Sequence, residues 1–169
     1  MNFIKKKIIL LIIVFINTNS VYAFDGTVFI DIDYILNNSN YGKSIILDLE
    51  KLKKKNTEKI TINEKNIKLK KDKINKNKNI LSEDKLKEDI DNFNKEVKKY
   101  QTEKKNLLID FDKEKKNKLE KFLKEINPII QEFMAENSID IVLEKKQIFV
   151  GNSDNDITND ILKLINKNL

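Results

Sequence analysis

The sequence predicts a mainly α protein with a small β body, in which a long antiparallel helical-hairpin (coiled-coil) arm projects from a small β-containing oligomerisation body. Three observations carry that expectation. Apolar residues through the middle of the chain recur at spacings of four and three, the narrow stripe of a helical seam. Between Gly42 and Gly151 lie 108 residues without a glycine and with Pro128 as their one proline, so helix can run there almost without interruption. Strand-like alternation is confined to short stretches near the two ends. The expected division is a cleaved signal over residues 1–23, a body built from 24–42 and 137–169, and an arm over 43–136 with its tip near 76–82.

The N-terminus opens with Lys5, Lys6 and Lys7, followed by nine unbroken apolar residues from Ile8 to Ile16 and then Val21-Tyr22-Ala23. This is the pattern of a secretory signal, with cleavage expected between Ala23 and Phe24. A membrane anchor is the alternative. Nine helical residues rise about 14 Å, roughly half of a hydrocarbon core about 30 Å thick. The mature chain is therefore expected to be exported and soluble. It has no cysteine, so neither disulfides nor a lipid-modified cysteine is available, and oligomerisation is the expected source of added stability.

Composition excludes several chemistries. Of 169 residues none is His, Cys or Trp, and all 33 basic residues are lysines, against 27 acids. Thiolate and imidazole metal sites and Ser-His or Cys-His catalysis each lack an essential residue. Asp31, Asp33, Asp154 and Asp156 form Asp-x-Asp pairs, which are common in turns and strand ends. No catalytic residue, metal site or cofactor is assigned. The net charge of +6 is unevenly distributed: residues 24–50 and 125–169 each carry −4, whereas 51–124 carry 25 lysines against 14 acids, or +11.

In the arm, Leu86, Ile90, Phe93, Val97 and Tyr100 fall on one stripe, which resumes at Leu107, Leu108 and Phe111 and continues through Leu119, Phe122, Ile126, Ile129 and Phe133. Upstream, Ile60, Ile67, Ile74 and Leu81 recur every seven residues, with Leu52, Ile62 and Leu69 nearby. Asn75, Asn77 and Asn79 weaken helix, and Ser82 before Glu83 and Asp84 resembles an N-cap. A hairpin of two helices, about 43–78 and 83–136, follows; one continuous helix with a sparse patch is the alternative. Phe111, Phe122 and Phe133 are expected to pack the base of the arm. Pro128 is either a hinge that sets the splay of the arm or a tolerated kink.

In the body, Val28, Ile30 and Ile32 alternate within Thr27–Asp33 as one face of a strand, and Tyr34-Ile35-Leu36 leads into a turn through Asn37–Asn40. Ile139–Leu143 and Gln147–Val150 flank Glu144, Lys145 and Lys146 and read as a β-hairpin, with Ile141, Leu143, Ile148 and Val150 in the core. Thr158 is a plausible cap for a last helix whose Ile161, Leu162 and Ile165 face inward. A sheet this small is expected to complete itself against copies of the same chain.

These landmarks resemble the Skp/OmpH periplasmic chaperones over the whole mature chain. The resemblance rests on Val28-Phe29-Ile30-Asp31, on Tyr41-Gly42-Lys43, on Ile139-Asp140-Ile141-Val142-Leu143, and on Asp156-Ile157-Thr158-Asn159-Asp160-Ile161-Leu162-Lys163. It implies a periplasmic, jellyfish-like homotrimer whose helical arms enclose a cavity. Such a protein holds unfolded outer-membrane β-barrel proteins without ATP, prevents their aggregation and escorts them to the outer membrane. Contact with anionic membrane or lipopolysaccharide is a further expected partnership, but without arginine no arginine-dependent site is carried over.

The residues suit a holdase. A barrel chain in transit exposes apolar strands, and a binder of many such chains needs shallow contacts on long arms. Leu86, Ile90, Phe93, Val97 and Tyr100, with Lys76, Lys78 and Lys85, are the candidate client contacts. For most individual lysines, solvation of a coiled coil is an equal reading. Two rival functions remain: a structural envelope coiled coil, disfavoured by the polar seam of the first helix, and a non-specific basic nucleic-acid binder. Export argues against physiological nucleic acid, as does the lack of an arginine to read guanine edges.

Overall fold

The computed structural model describes residues 26–169. The proposed signal and its cleavage site at Ala23 and Phe24 lie outside the described residues.

Strand β1 (Thr27–Ile30) buries Val28, Phe29 and Ile30 and then stops. Asp31 turns the chain into a short helix instead of continuing the strand: its carboxylate accepts the Tyr34 N–H at 2.8 Å and caps α1 (Ile32–Asn38). Ile32 is therefore helical, not a third strand position, and of the turn expected through Asn37–Asn40 only Ser39 lies outside a helix. A local side-chain cap has overridden the alternation. Ser39, fully buried, is the single residue between α1 and α2 (Asn40–Asn77). Its N–H donates to the Ile35 carbonyl at 2.9 Å, and its hydroxyl accepts the Gly42 N–H at 3.0 Å.

After a turn through residues 78–82, α3 (Glu83–Glu136) runs back for 54 residues, or about 81 Å. Ser82 occupies its N-cap without a side-chain bond, so the first turn relies on Glu83 and Asp84 facing the helix N-terminus. The helix continues through Pro128, whose neighbours Ile126 and Ile129 are buried. It ends at Asn137, and Ser138 takes a left-handed φ of 55° while the Ile139 N–H reaches back to the Met134 carbonyl.

Strand β2 (Ile141–Glu144) pairs in parallel with β1, Val28 opposite Val142 and Phe29 opposite Leu143. The whole arm forms the crossover that parallel pairing requires. This replaces the expected β-hairpin: Lys145–Gln147 closes a 3-10 turn, and Phe149 and Val150 are 102% and 81% exposed. Strand β2 takes its ladder partner from β1, at the other end of the sequence, so residues 147–150 form no strand. A second 3-10 turn (Ser153–Asn155) leads to a bridge between Asp156 and Phe29. Helix α4 (Thr158–Asn168) then buries Ile161 and Ile165, with Leu164 partly buried against the same core and Leu162 half-exposed.

Thr158 does not cap α4. It is the first helical residue; its hydroxyl accepts the Asp31 N–H at 2.9 Å, and its own N–H donates to the Asp156 carboxylate at 3.1 Å. Burial of the Asp156 carboxyl pushes its pKa up, but hydrogen bonds from Lys145 and Thr158 outweigh this and hold it below the ordinary value. One apolar cluster joins Val28 and Ile30 of β1, Ile35 of α1, Ile45 of α2, Phe122, Ile126, Ile129 and Ile130 of α3, and Ile157, Ile161 and Ile165. The Tyr41 and Phe122 rings stack there with centroids 5.9 Å apart. No helix among the described residues is long and apolar enough to cross a membrane.

Candidate functional site on the arm

Helices α2 and α3 pair with a constant antiparallel register. Lys118 reaches Asp48 at 3.2 Å, Asn63 reaches Glu103 at 3.4 Å, Lys104 reaches Glu64 at 2.8 Å, and Lys70 pairs with Glu96. In each pair the two residue numbers add to 166 or 168, which places every α2 residue opposite a definite part of α3.

The seam itself is only half-dry. On α2, Leu52, Ile60, Ile67 and Ile74 are half-buried, as is Leu81 beyond its end, but Asn56, Asn63 and Asn77 share the same face. Asn56 turns its amide to the Leu107 carbonyl at 3.4 Å. A polar residue in such a seam fixes register at a cost in pairing strength. Ile62 and Leu69, expected near the seam, are 59% and 57% exposed.

Against this frame the expected contact residues separate into groups. Leu86, Ile90 and Phe93 converge on one groove of about 290 Å³ near the tip, with Ile74 from α2 as its other wall and Lys71 and Lys78 beside it. Val97 is half-buried farther down α3. Tyr100 lines a separate groove of about 500 Å³ with Ile67, Leu69 and Lys70. Lys76 is exposed, whereas Lys85 is held along its own helix by Glu88 at 2.8 Å and Asp89 at 3.4 Å, which raise its pKa. Ile74 and Lys71 belong to the tip groove although the sequence did not single them out as contacts. The seven-residue repeat containing Ile74, set in register opposite Phe93, was the available signal. A third groove, of about 670 Å³, runs past Leu52, Leu107 and Phe111.

At mid-arm the Glu64 carboxylate lies between two α3 donors. Hydrogen bonds from Lys104 and then Tyr100 hold its pKa below the ordinary carboxylate value, and the Lys104 charge adds to them. The same contact with Glu64 raises the pKa of Lys104. Burial, followed by the bond to Glu64, raises that of Tyr100.

Of the residues expected in the body core, Val28 and Ile30 lie in the buried cluster. Ile32 packs against its edge, beside a groove of about 610 Å³ that Leu123, Met134 and Val142 also line. Ile141 and Leu143 are 51% and 39% exposed, because Val142 is the β2 residue that turns inward. Ile148 is half-buried and Val150 exposed, so within one chain these four residues do not form its core. Phe29 is covered on the outer side of the sheet, where a Cβ at Gly151 would come within 3.0 Å of its ring. Three of the four aspartates considered as metal ligands have other roles: Asp31 caps α1, Asp33 pairs with Lys146, and Asp156 pairs with Lys145 at 2.7 Å.

A model of the OmpH-like outer membrane protein family matches residues 26–165 of this chain. No curated protein matches it in sequence. Among solved structures, one described as OmpH-like, from Caulobacter crescentus CB15, has a similar fold, with a TM-score of 0.78 over 87% of each chain at 14% identity. At that identity the likeness concerns the fold, a long helical arm on a small β body.

Proposed function

Because this chain belongs to the OmpH-like outer membrane protein family, we propose that it is an ATP-independent holdase chaperone of the periplasm, which binds unfolded outer-membrane β-barrel proteins and delivers them towards the outer membrane. The observation that carries this reading is the groove of Leu86, Ile90, Phe93 and Ile74 near the end of an arm about 57 Å long along α2. Such a groove is open and shallow, and its apolar walls border on lysine and asparagine. It offers an extended chain a few apolar contacts without demanding one shape. Weak contacts of this kind suit a client that must be released without an energy source.

The working unit is a homotrimer. Ile141, Leu143, Phe149 and Val150 expose apolar surface on a two-stranded sheet, too few strands to be stable alone. In a trimer these residues would be covered between subunits, and the three arms would border a common cavity.

Dilution of a urea-unfolded outer-membrane barrel into the mature protein tests the function. Light scattering should stay low at near-stoichiometric trimer. Aggregation as fast as in buffer alone would remove the chaperone reading, and a monomer in sedimentation would remove the cavity.

A further inference from the structure

The two arm helices carry nearly equal numbers of lysines but very different net charges. Helix α2 holds 12 lysines and five acids, a net +7, whereas α3 holds 13 lysines and 14 acids, a net −1. Every lysine of α2 is exposed, and of the twelve only Lys70 is in an ion pair among the described residues. In the other direction, Lys104 and Lys118 of α3 reach Glu64 and Asp48 of α2. Helix pairing thus neutralises acids of α2 and, among the described residues, leaves eleven of its twelve lysines outside any ion pair. The excess peaks over residues 65–76, where six lysines accompany the single acid Asp72 within about 18 Å. In the register of the hairpin this stretch faces about 90–101 of α3, which holds three lysines and two acids.

We propose that the outer face of α2 from Lys65 to Lys76 is the selective surface of the arm, and that it captures stretches of unfolded polypeptide with net negative charge. The proposal rests on the holdase reading and adds a client charge preference and a receiving side. An unfolded chain presents carboxylates at irregular spacing, which lysines on flexible stems can follow. Each exposed pair contributes little, but several acting together speed encounter and still permit release. The outer faces of two packed helices lie about 20 Å apart, more than two Debye lengths at physiological salt, so α2 and α3 act as separate electrostatic surfaces. Lys71 and Lys78 border the tip groove, so a chain landing on α2 lies beside the apolar contacts.

The test compares two triple variants of the mature protein with equal change in charge: Lys65→Glu, Lys68→Glu, Lys76→Glu on α2, and Lys98→Glu, Lys105→Glu, Lys115→Glu on α3. Stopped-flow fluorescence follows capture of a urea-unfolded outer-membrane barrel of net negative charge, and of the same barrel with its acids replaced by lysine, at physiological salt. The α2 triple should slow capture of the acidic barrel about tenfold and the α3 triple less than about twofold, with no slowing for the basic barrel. Equal slowing by both triples, or none from the α2 triple, overturns the proposal while leaving the holdase reading intact. Capture of neither barrel by the unaltered protein overturns the holdase reading and this proposal with it. Circular dichroism checks that the variants keep their helicity; if the α2 glutamates disturb it, the corresponding glutamine triples replace both sets.

Discussion

The phenol of Tyr100 on α3 donates to the carboxylate of Glu64 on α2 at 2.6 Å, and Lys104, one turn further along α3, reaches the same oxygen at 2.8 Å. The Lys104 ammonium also lies 5.8 Å from the centre of the Tyr100 ring. This cluster sits beside Asn63, where the seam has a polar residue in place of an apolar one. Hydrogen bonds therefore contribute to helix pairing at a height where a polar residue interrupts the apolar seam.

Pairing at mid-arm should depend on acid pH. The pKa of Glu64 is below the ordinary value of 4.5, so its contribution is present above that value and is lost as pH falls through the lowered one. Glu64→Gln should lower the melting temperature at pH 7, and the gap from the parent should close as the solution is acidified and the carboxylate takes up its proton. A gap unchanged from neutral to acid pH, in melts followed by circular dichroism, would count against the role of this carboxylate.

Gly42→Ala should disrupt the root of the arm. An added Cβ would lie 2.0 Å from the Leu36 carbonyl oxygen and 2.8 Å from the Ser39 hydroxyl, and the first obstacle is backbone. A loss of about 2–3 kcal/mol is expected in urea unfolding. A variant as stable as the parent would mean that α1 and α2 can move apart freely.

Phe122→Ala and Phe111→Ala should differ clearly. Phe122 is fully buried and stacked on Tyr41, and its truncation should cost about 3–5 kcal/mol. Phe111 is half-buried on the arm, so the same change there should cost less than half as much. Similar losses at both positions would show that the arm and the body share one uniform core.

Ser138→Gly should stabilise the protein. Ser138 holds φ at 55°, a left-handed conformation that costs a non-glycine residue about 1 kcal/mol and glycine almost nothing. A rise in stability of that order is expected, and a fall would reveal a required contact of the serine side chain.

Pro128→Ala tests whether the proline sets the course of α3 out of the body. It restores a backbone donor within the helix and should change the small-angle scattering profile of the protein. An identical profile would leave Pro128 a tolerated residue without influence on shape.

The helical arm was legible because its signals are local and repeated. The Ile60, Ile67, Ile74 repeat marks the first helix, and Ser82-Glu83-Asp84 marks the start of the second. The body was harder to read because long-range contacts decide it. Asp31 ends β1 by capping α1, Thr158 spends its hydroxyl on the Asp31 N–H 127 residues away, and β2 pairs with β1 rather than with the residues that follow it. Short apolar runs such as Gln147–Val150 look like strands, and whether they become strands depends on which edge is free. On the arm, Leu86, Ile90 and Phe93 were recognisable from their spacing, but the wall supplied by Ile74 needed the register.

Ser39 is the only residue between α1, which is packed into the body, and α2, which runs about 57 Å out from it. That geometry is a lever with a very short inner end. A rotation of one degree about Ser39 would sweep the far end of α2 by about 1 Å. The reach of the arm is then governed at the buried serine hydroxyl and the Gly42 N–H it receives at 3.0 Å, at the opposite end of α2 from the tip.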